Sequence, residues 1–236
     1  MIRYKILQLP TLRFTSSIIL IVVFLPFFVQ AQKKDSLIQR DYRPTGIRLG
    51  TDVFSLVRNP IDDTFNGWEV SADVDFYRFF LTAELGYWGR DFTTEDEVYS
   101  NSGSYWRIGV DMNFLKKDPE KNMFFLGARY GSGTFDETLS IQLNDTWNQG
   151  SSVFTNTDAK ASWGEITGGL RVKVWKFLWL GYTARYKFAL ATKTTSNLVP
   201  TDVPGYGSTD KKHTWGFNYQ VFIRFPVRKV QLVPAK

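Results

Sequence analysis

The sequence predicts an all-β fold: an eight-stranded antiparallel transmembrane up-and-down β-barrel that follows an N-terminal signal peptide. Apolar and polar residues alternate along eight segments of about ten residues, the length that a tilted strand needs to cross a membrane. The connections between these segments are alternately short and long, as in outer-membrane barrels with short periplasmic turns and longer external loops. Aromatic residues make up 17% of the chain although its mean hydropathy is negative, and alternating strands bounded by aromatic girdles produce that combination.

The N-terminus has the pattern of a secretory signal peptide. A basic start is followed by an almost entirely apolar run over residues 18–28 and by Ala31 at the expected cleavage site. The apolar run is shorter than the roughly 20 residues that a membrane-spanning helix needs. The expected organisation is a signal peptide over 1–31, a periplasmic tail over 32–43, the barrel over 44–226 and a second periplasmic tail over 227–236.

The composition excludes several classes of site. The chain contains no cysteine, which excludes disulfides, thiolate zinc sites and cysteine nucleophiles. The net charge of +6 falls to +3 once the three basic residues of the signal peptide are removed. Because no basic run is interleaved with aromatic residues, the sequence does not indicate nucleic-acid binding.

Strands one to four follow from an alternation of period two, which places apolar and polar side chains on opposite faces. Strands two and three meet at a very tight turn at Tyr77-Arg78, and strand two carries carboxylates opposite its apolar face. In chain order these strands are 47–54, 68–76, 79–87 and 105–114, with an acidic polar loop at 90–104 before the last.

Strands five to eight show the same alternation. The longest connection, 136–162, still alternates in its first part, so we expect it to extend the strand pair as a hairpin with its tip at Asn148-Gln149-Gly150. A tight turn at 175–177 separates strands six and seven, and a loop at 192–213 precedes strand eight. In chain order these strands are 123–135, 164–174, 178–188 and 215–225.

Two orientations of the faces are possible. A soluble lipocalin-like barrel would place the apolar faces inside and the charged faces outside. Aromatic residues cluster at the strand ends, which favours the membrane barrel with its lipid-facing girdles. The expected aromatic girdle is Trp68, Tyr87, Trp106, Tyr130, Tyr186 and Trp215 at the external ends of the strands and Trp175 and Phe225 at the periplasmic ends.

The charged faces then point into the barrel. An eight-stranded interior is just wide enough to be filled by side chains, and unpaired buried charges are costly. The sequence therefore predicts a plugged, ion-paired lumen, with a narrow channel as the alternative. The expected lumen network is Arg48, Asp52, Glu69, Asp73, Asp75, Glu84, Arg107, Asp111, Arg129, Glu165, Arg171, Lys173, Arg185, Lys187 and Arg224.

His213 is the only histidine, with Ser208 and Asp210 close in sequence. A histidine base beside a hydroxyl or carboxylate at the external rim would suit an enzyme that modifies lipid A. The other interpretation, which we adopt, is a surface residue next to the aromatic belt. We expect no catalytic residue, no metal and no cofactor.

From strand one to Phe225 the chain resembles small eight-stranded outer-membrane barrels of the OmpA-transmembrane-domain type, and its last strand resembles the signal that the barrel assembly machinery recognises. The segments 46–52 and 163–165, with Gly181-Tyr182, resemble a family of Bacteroidota outer-membrane proteins. That resemblance implies a Gram-negative outer membrane and an accessory role in a complex such as the barrel assembly machinery. The expected partners are membrane lipid and lipopolysaccharide, and other outer-membrane proteins reached through loops 136–162 and 192–212.

Overall fold

The computed structural model describes residues 42–115, 122–145, 148–196 and 198–228, and for 143–145 and 148–149 the backbone alone. The expected signal peptide and most of the first tail therefore lie outside the described residues. In chain order the elements are β1 (Gly46–Asp52), α1 (Val53–Arg58), β2 (Phe65–Phe76), β3 (Phe79–Thr93), β4 (Glu97–Asn113), β5 (Met123–Asp145), β6 (Asn148–Trp175), β7 (Leu178–Lys193), β8 (Asp202–Val203), β9 (Gly207–Ser208) and β10 (His213–Pro226).

Eight of the strands close into an antiparallel barrel in the order β1-β10-β7-β6-β5-β4-β3-β2. The first and last strands close it in a register that sets Gly46 opposite Pro226 and Asp52 opposite Gln220. The two short strands β8 and β9 form a separate ladder inside the last long loop. The fold class predicted from the alternation, an eight-stranded antiparallel barrel, is confirmed.

The barrel has two unlike ends. At one, which we call the turn end, lie the tight turns 77–78 and 176–177, and Tyr77 there has a φ of 61°. At the other, the loop end, lie α1, the β3–β4 turn, the β5–β6 hairpin and the loop 194–212. Among the described residues, no helix has the length and apolar character that a membrane-spanning helix needs.

The expectation that strand one runs to residue 54 is wrong, because Val53 begins the helix α1. Asp52 is the N-cap of this helix. Its carboxylate accepts a hydrogen bond at 3.1 Å from the backbone N–H of Ser55 and one at 2.7 Å from the Ser55 hydroxyl. A capping carboxylate satisfies a free helical N–H and turns the chain out of the strand.

The expected loop at 90–104 is also wrong, since β3 continues to Thr93 and β4 begins at Glu97. The extension is held by side chains on the inner face. Phe92 stacks on Tyr99 with ring centroids 4.8 Å apart, and the Tyr99 hydroxyl donates a 2.8 Å hydrogen bond to Glu137 on β5. Aromatic cross-strand pairs of this kind stabilise strand pairing beyond the barrel wall.

The β5–β6 hairpin extends well past its neighbours. Asp145 pairs with Asn148, so residues 148–150 belong to the β6 strand of the hairpin and are not its tip as expected. On its other side β6 pairs with β7 only as far as Lys160, which lies opposite Lys193. Among the described residues, therefore, no strand pairs with the open side of residues 148–159.

The wall of the barrel is apolar on the outside. On every wall strand, an apolar side chain near the middle of the barrel is more than two-fifths exposed. The charged residues that alternate with these side chains face inward and are buried or half-buried. One such outward residue from each strand is Leu49, Val70, Leu81, Val110, Leu126, Leu170, Leu180 and Ile223.

Candidate functional site

The interior of the barrel holds one connected network of ion pairs. Five arginines and five carboxylates are joined through shared partners, so their formal charges cancel. All ten are buried. Charges that are taken out of water need partners of this kind, because an unpaired buried ion is strongly destabilising. The members are Arg48, Arg107, Arg129, Arg171 and Arg185 with Glu69, Asp73, Glu84, Asp111 and Glu165.

Two of these pairs cross the full width of the barrel. Arg171 on β6 lies 2.5 Å from Asp73 on β2, and Arg185 on β7 lies 2.9 Å from Glu84 on β3. In each case the two strands are four places apart in either direction around the ring. These pairs therefore place ion-paired side chains across the middle of the lumen.

Asp75 anchors the chain at the turn end. Its carboxylate accepts hydrogen bonds from the backbone N–H groups of Thr45 and Gly46 at 2.8 and 2.7 Å. The Arg224 guanidinium lies 3.3 Å from the same carboxylate, so it links the last strand to the start of the first. These contacts fix the seam where β1 and β10 close the barrel.

The loop between β7 and β10 folds inward and covers the lumen at the loop end. Residues 202–206, which we call the plug, are all buried, with Val203 and Tyr206 exposed by only 1% and 3%. Both pack in one apolar cluster inside the extended wall. The wall residues of that cluster are Tyr105, Phe135, Ala159, Ala161 and Trp163.

The plug backbone is bound by Lys187, which is not part of the ion-pair network, and by Arg107, which is. The Lys187 ammonium donates hydrogen bonds at 2.8 Å to the carbonyl oxygens of Gly205 and Tyr206, and Arg107 donates one at 3.1 Å to Gly205. Gly205 has a φ of +80°, and a Cβ there would lie 2.5 Å from the Tyr105 ring. Glycine is therefore required at this point for both conformation and space.

A second set of polar contacts ties the loop to the wall extensions. Glu137 accepts hydrogen bonds at 2.8 Å from the Tyr99 hydroxyl and from the backbone N–H of Thr201. Asn101 donates a 2.6 Å hydrogen bond to the carbonyl of Asp202. Burial, reinforced by Glu137, raises the pKa of Tyr99, which keeps its hydroxyl a donor. Burial also raises the pKa of Asp202, against the opposing effect of Arg90.

Some residues expected in the lumen network have other contacts. Asp52 is buried at the loop end of β1, where it caps α1 and also accepts a hydrogen bond at 3.0 Å from the backbone N–H of Tyr219. Lys173 is only half-buried, with its ammonium 5.8 Å from the centroid of the Trp179 ring. Lys187 binds the plug through carbonyl oxygens.

His213 lies on the outer surface at the loop end of β10. It is exposed and stacks near Tyr186, with ring centroids 5.8 Å apart. Within the described part of the chain, its imidazole forms no hydrogen bond with Ser208, Asp210 or another side chain. The structure therefore does not assemble a base and a nucleophile around it.

The residues of the expected aromatic girdle point outward at both ends of the strands. Trp215 and Trp175 are the most exposed of them, at 62% and 61%. Several form ring contacts between neighbouring strands: Trp106 and Tyr130 lie tilted to each other, and Tyr186 meets Trp215 edge to face. Tyr87 and Tyr186 are half-buried, and the other exposed members are Trp68, Trp106, Tyr130 and Phe225.

Sequence reasoning missed the plug and the groups that hold it. Loop 192–212 was expected to face a partner, whereas its segment 202–206 is buried in the barrel mouth. The loop has no periodicity that would indicate an inward course. The one available signal was the pair Pro204-Gly205 between two apolar residues, which indicates a turn but not its direction.

Three comparisons place the chain among known proteins. A family model described as Domain of unknown function (DUF6048) matches residues 11–230. No curated protein matches the chain. The crystal structure of Neisserial surface protein A (NspA) resembles it with a TM-score of 0.36 at 9% sequence identity, over 77% of this chain and 96% of that one.

Proposed function

The chain belongs to the DUF6048 family, and from the geometry of its barrel we propose that it is a non-enzymatic, integral outer-membrane protein of a Gram-negative bacterium that acts through contacts with other proteins. The observation that carries this proposal is the distribution of side chains across the wall. Charged residues fill the interior, while apolar residues from every wall strand face outward. A soluble protein rarely exposes a continuous apolar surface of that size, whereas outer-membrane barrels have this arrangement.

Contact with partners, and not transport, is favoured by the closed lumen. The diametric pairs Arg171–Asp73 and Arg185–Glu84 occupy the axis, and the plug covers the loop end. An ion crossing the barrel would have to displace both. Planar-bilayer recordings should therefore show no conductance on the nanosiemens scale, and a steady conductance would favour the narrow channel instead.

The β5–β6 hairpin offers the surface for a protein partner. Residues 148–155 have an unpaired backbone edge among the described residues, and they include no charged side chain or proline. Such an edge lacks the features by which proteins prevent strand addition. Val153 is 62% exposed beside it, so an extended segment of a partner gains both backbone hydrogen bonds and an apolar contact.

The first experiment determines which cell fraction contains the protein and which proteins co-purify with it. We would tag the C-terminus, extract membranes in mild detergent and identify proteins recovered at near-stoichiometric yield. We expect the tagged chain in the outer-membrane fraction, with its N-terminus at Gln32, and a stable outer-membrane partner such as a component of the barrel assembly machinery. Recovery of the chain from the soluble fraction would contradict the membrane barrel, and a lone barrel would contradict the contact function.

A pair of variants locates the contact. Ser151→Lys with Val153→Lys places two charges along the open edge and should abolish co-purification of the partner. Ser140→Lys is the control, because Ser140 lies opposite Val153 on β5 but is flanked by strands on both sides. Equal recovery of the partner with both variants would show that the hairpin edge is not the contact.

A further inference from the structure

Two lysines face each other on the outer surface of the barrel near the loop end. Lys160 on β6 is the direct cross-strand partner of Lys193 on β7, and both are exposed. Ala159 and Ala161, the residues on either side of Lys160, belong to the inner face, where both are buried. Like charges directly opposite each other in a sheet destabilise the strand pair, so an anion held between the two ammonium groups would stabilise it.

The described residues do not supply that anion. No ion pair or hydrogen bond of the Lys160 or Lys193 ammonium is found among them. The nearest acid along β6 is Asp158. Its backbone N–H donates a 2.8 Å hydrogen bond to the Asp136 carboxylate on β5, but neither of these two carboxylates forms an ion pair with Lys160 or Lys193. Lys211 and Lys212, at the end of the loop that leads into β10, add two more exposed cations, while the same loop contributes the exposed Asp210.

The lysine pair also lies at a defined height above the apolar wall. Phe188 and His213 pair across β7 and β10 at the aromatic level, and Gly164 on β6 lies opposite Phe188. Lys160 is four residues beyond Gly164, which at the rise of a tilted strand is roughly 10 Å above that level. The polar headgroup region is only about 5–7 Å thick on each side of the membrane. The Lys160 backbone would therefore lie just outside it, and the long lysine side chain can reach back into it.

We propose that Lys160 and Lys193 form a binding site for a phosphate group of outer-leaflet lipopolysaccharide. The site deepens the proposed function and rests on it, because the ligand is a lipid of the membrane in which the barrel would lie. The acyl chains of the lipid would lie against the outward residues of β6 and β7, including Leu170 and Leu180, while its phosphate bridges the two ammonium groups.

The apolar wall is what distinguishes a lipid phosphate from free phosphate. Two exposed ammonium groups bind inorganic phosphate weakly in water, since solvent and salt screen the attraction. An acylated phosphate that is already held against the wall is delivered at high effective concentration. Each cation near an anionic membrane surface then strengthens binding about 5-fold.

The test measures lipid binding to the purified barrel in detergent. The probes are lipid A with its phosphates and the same lipid A after enzymatic removal of phosphate, with millimolar inorganic phosphate as competitor. Lys160→Gln with Lys193→Gln should weaken binding of phosphorylated lipid A on the order of 25-fold and leave binding of the dephosphorylated lipid unchanged. Lys176→Gln, in the turn 176–177 at the opposite end, is the matched control and should bind as the unmodified protein does.

A second variant separates repulsion from ligand binding. Lys193→Glu creates an opposite-charge pair with Lys160, so it should raise the unfolding temperature of the lipid-free barrel while abolishing the preference for phosphorylated lipid A. Equal binding of both lipids by the unmodified barrel, undiminished binding by the double glutamine variant or full competition by inorganic phosphate would each overturn the inference. A chain that fractionates with the outer membrane but fails these tests would lose the lipid site and keep its proposed function.

Discussion

Arg171 and Asp73 meet at the centre of the barrel, with Nη1 and Oδ2 2.5 Å apart, although their strands lie on opposite sides of the ring. Arg171 also lies 3.3 Å from Asp111, which in turn binds Arg129. One guanidinium therefore links β6 to β2 and β4 at once. Shared partners of this kind explain how the barrel can hold so many interior charges in ion pairs.

Removal of that guanidinium should destabilise the barrel strongly. Arg171→Met leaves Asp73 and Asp111 buried with one cation each, and breaking a buried pair in this way costs about 3–5 kcal/mol. We expect the free energy of unfolding, measured by urea titration in detergent micelles with tryptophan fluorescence, to fall by about that amount. Arg171→Met with Asp111→Asn should recover part of the loss, because it restores equal numbers of buried cations and carboxylates. Asp73 then keeps Arg48, and Arg129 keeps Glu84.

The control for this prediction is a pair that lies outside the lumen. Arg58 and Asp62 are joined at 2.7 Å, but their side chains are 26% and 30% exposed. The pKa of Asp62 is lowered to about 2, chiefly by the Thr64 hydroxyl and then by Arg58. Since exposed pairs contribute little, Arg58→Met should unfold as the unmodified protein does. If Arg171→Met were equally mild, the diametric pairs would not hold the barrel closed.

Two glycines of the last loop provide a matched test of the plug. Gly205 and Gly207 both have positive φ, at +80° and +103°, so alanine strains the backbone at either position by about 1–2 kcal/mol. Only at Gly205 would the added Cβ meet a neighbour, the Tyr105 ring at 2.5 Å, while nothing lies within 4 Å of it at Gly207. Gly205→Ala should therefore expel the plug.

Limited trypsin digestion in detergent measures that expulsion. Lys211 and Lys212 lie five and six residues beyond the plug and are already exposed, so cleavage there should accelerate when the plug leaves the barrel and no longer holds the preceding segment. We expect Gly205→Ala to be cleaved there at least tenfold faster than Gly207→Ala, about the ratio that a further 1.4 kcal/mol of opening would give. Equal cleavage rates would mean that contact with Tyr105 does not hold the loop in place.

The side chains of the lumen could be predicted from the sequence because strand geometry is local. Arg171, for example, lies between Leu170 and Val172 on β6, and a period of two places it on the inner face wherever the strand begins and ends. An error in a strand boundary does not change that face. For this reason the inward residues follow from the sequence, although the expected loop at 90–104 is longer than the observed one.

The plug could not be predicted, because its position depends on groups distant in sequence. The carbonyl of Gly205 is bound by Arg107 from β4 and Lys187 from β7. Because every residue has such a carbonyl, neither contact produces a recognisable pattern in the sequence of the loop. The start of α1 is different. Asp52 and Ser55 have the spacing of a helix N-cap, and that signal was available but was overridden by the alternation that continues to Phe54.

Asp202 should make the plug sensitive to pH. Burial raises the pKa of its carboxyl above the ordinary 3.8, so the neutral form is preferred in the docked loop. The contribution of Asp202 to docking of the plug is therefore fully present below pH 3.8 and is lost as the pH rises through the raised pKa. Asp202→Asn should remove this dependence and dock at pH 7 at least as firmly as the unmodified loop, despite losing the 3.4 Å pair with Arg90.

Hydrogen exchange of the plug amides, corrected for the intrinsic rate at each pH, measures this effect. Asp210→Asn is the control, because that carboxylate is exposed in the same loop. It should leave the pH profile unchanged. A profile for Asp202→Asn that matches the unmodified protein would show that burial of this carboxyl does not influence docking.

The orientation of the wall in a membrane can be tested at one outward residue. Leu170 is 47% exposed near the middle of the apolar wall on β6, and Val153 is 62% exposed on the hairpin of the same strand. An arginine near the middle of a bilayer costs a barrel about 2–4 kcal/mol, and one beyond the interface costs little. Leu170→Arg should therefore lower the yield of barrel folded into lipid vesicles, while Val153→Arg folds normally. In a soluble barrel both positions face water, so equal folding yields for the two variants would contradict the membrane placement.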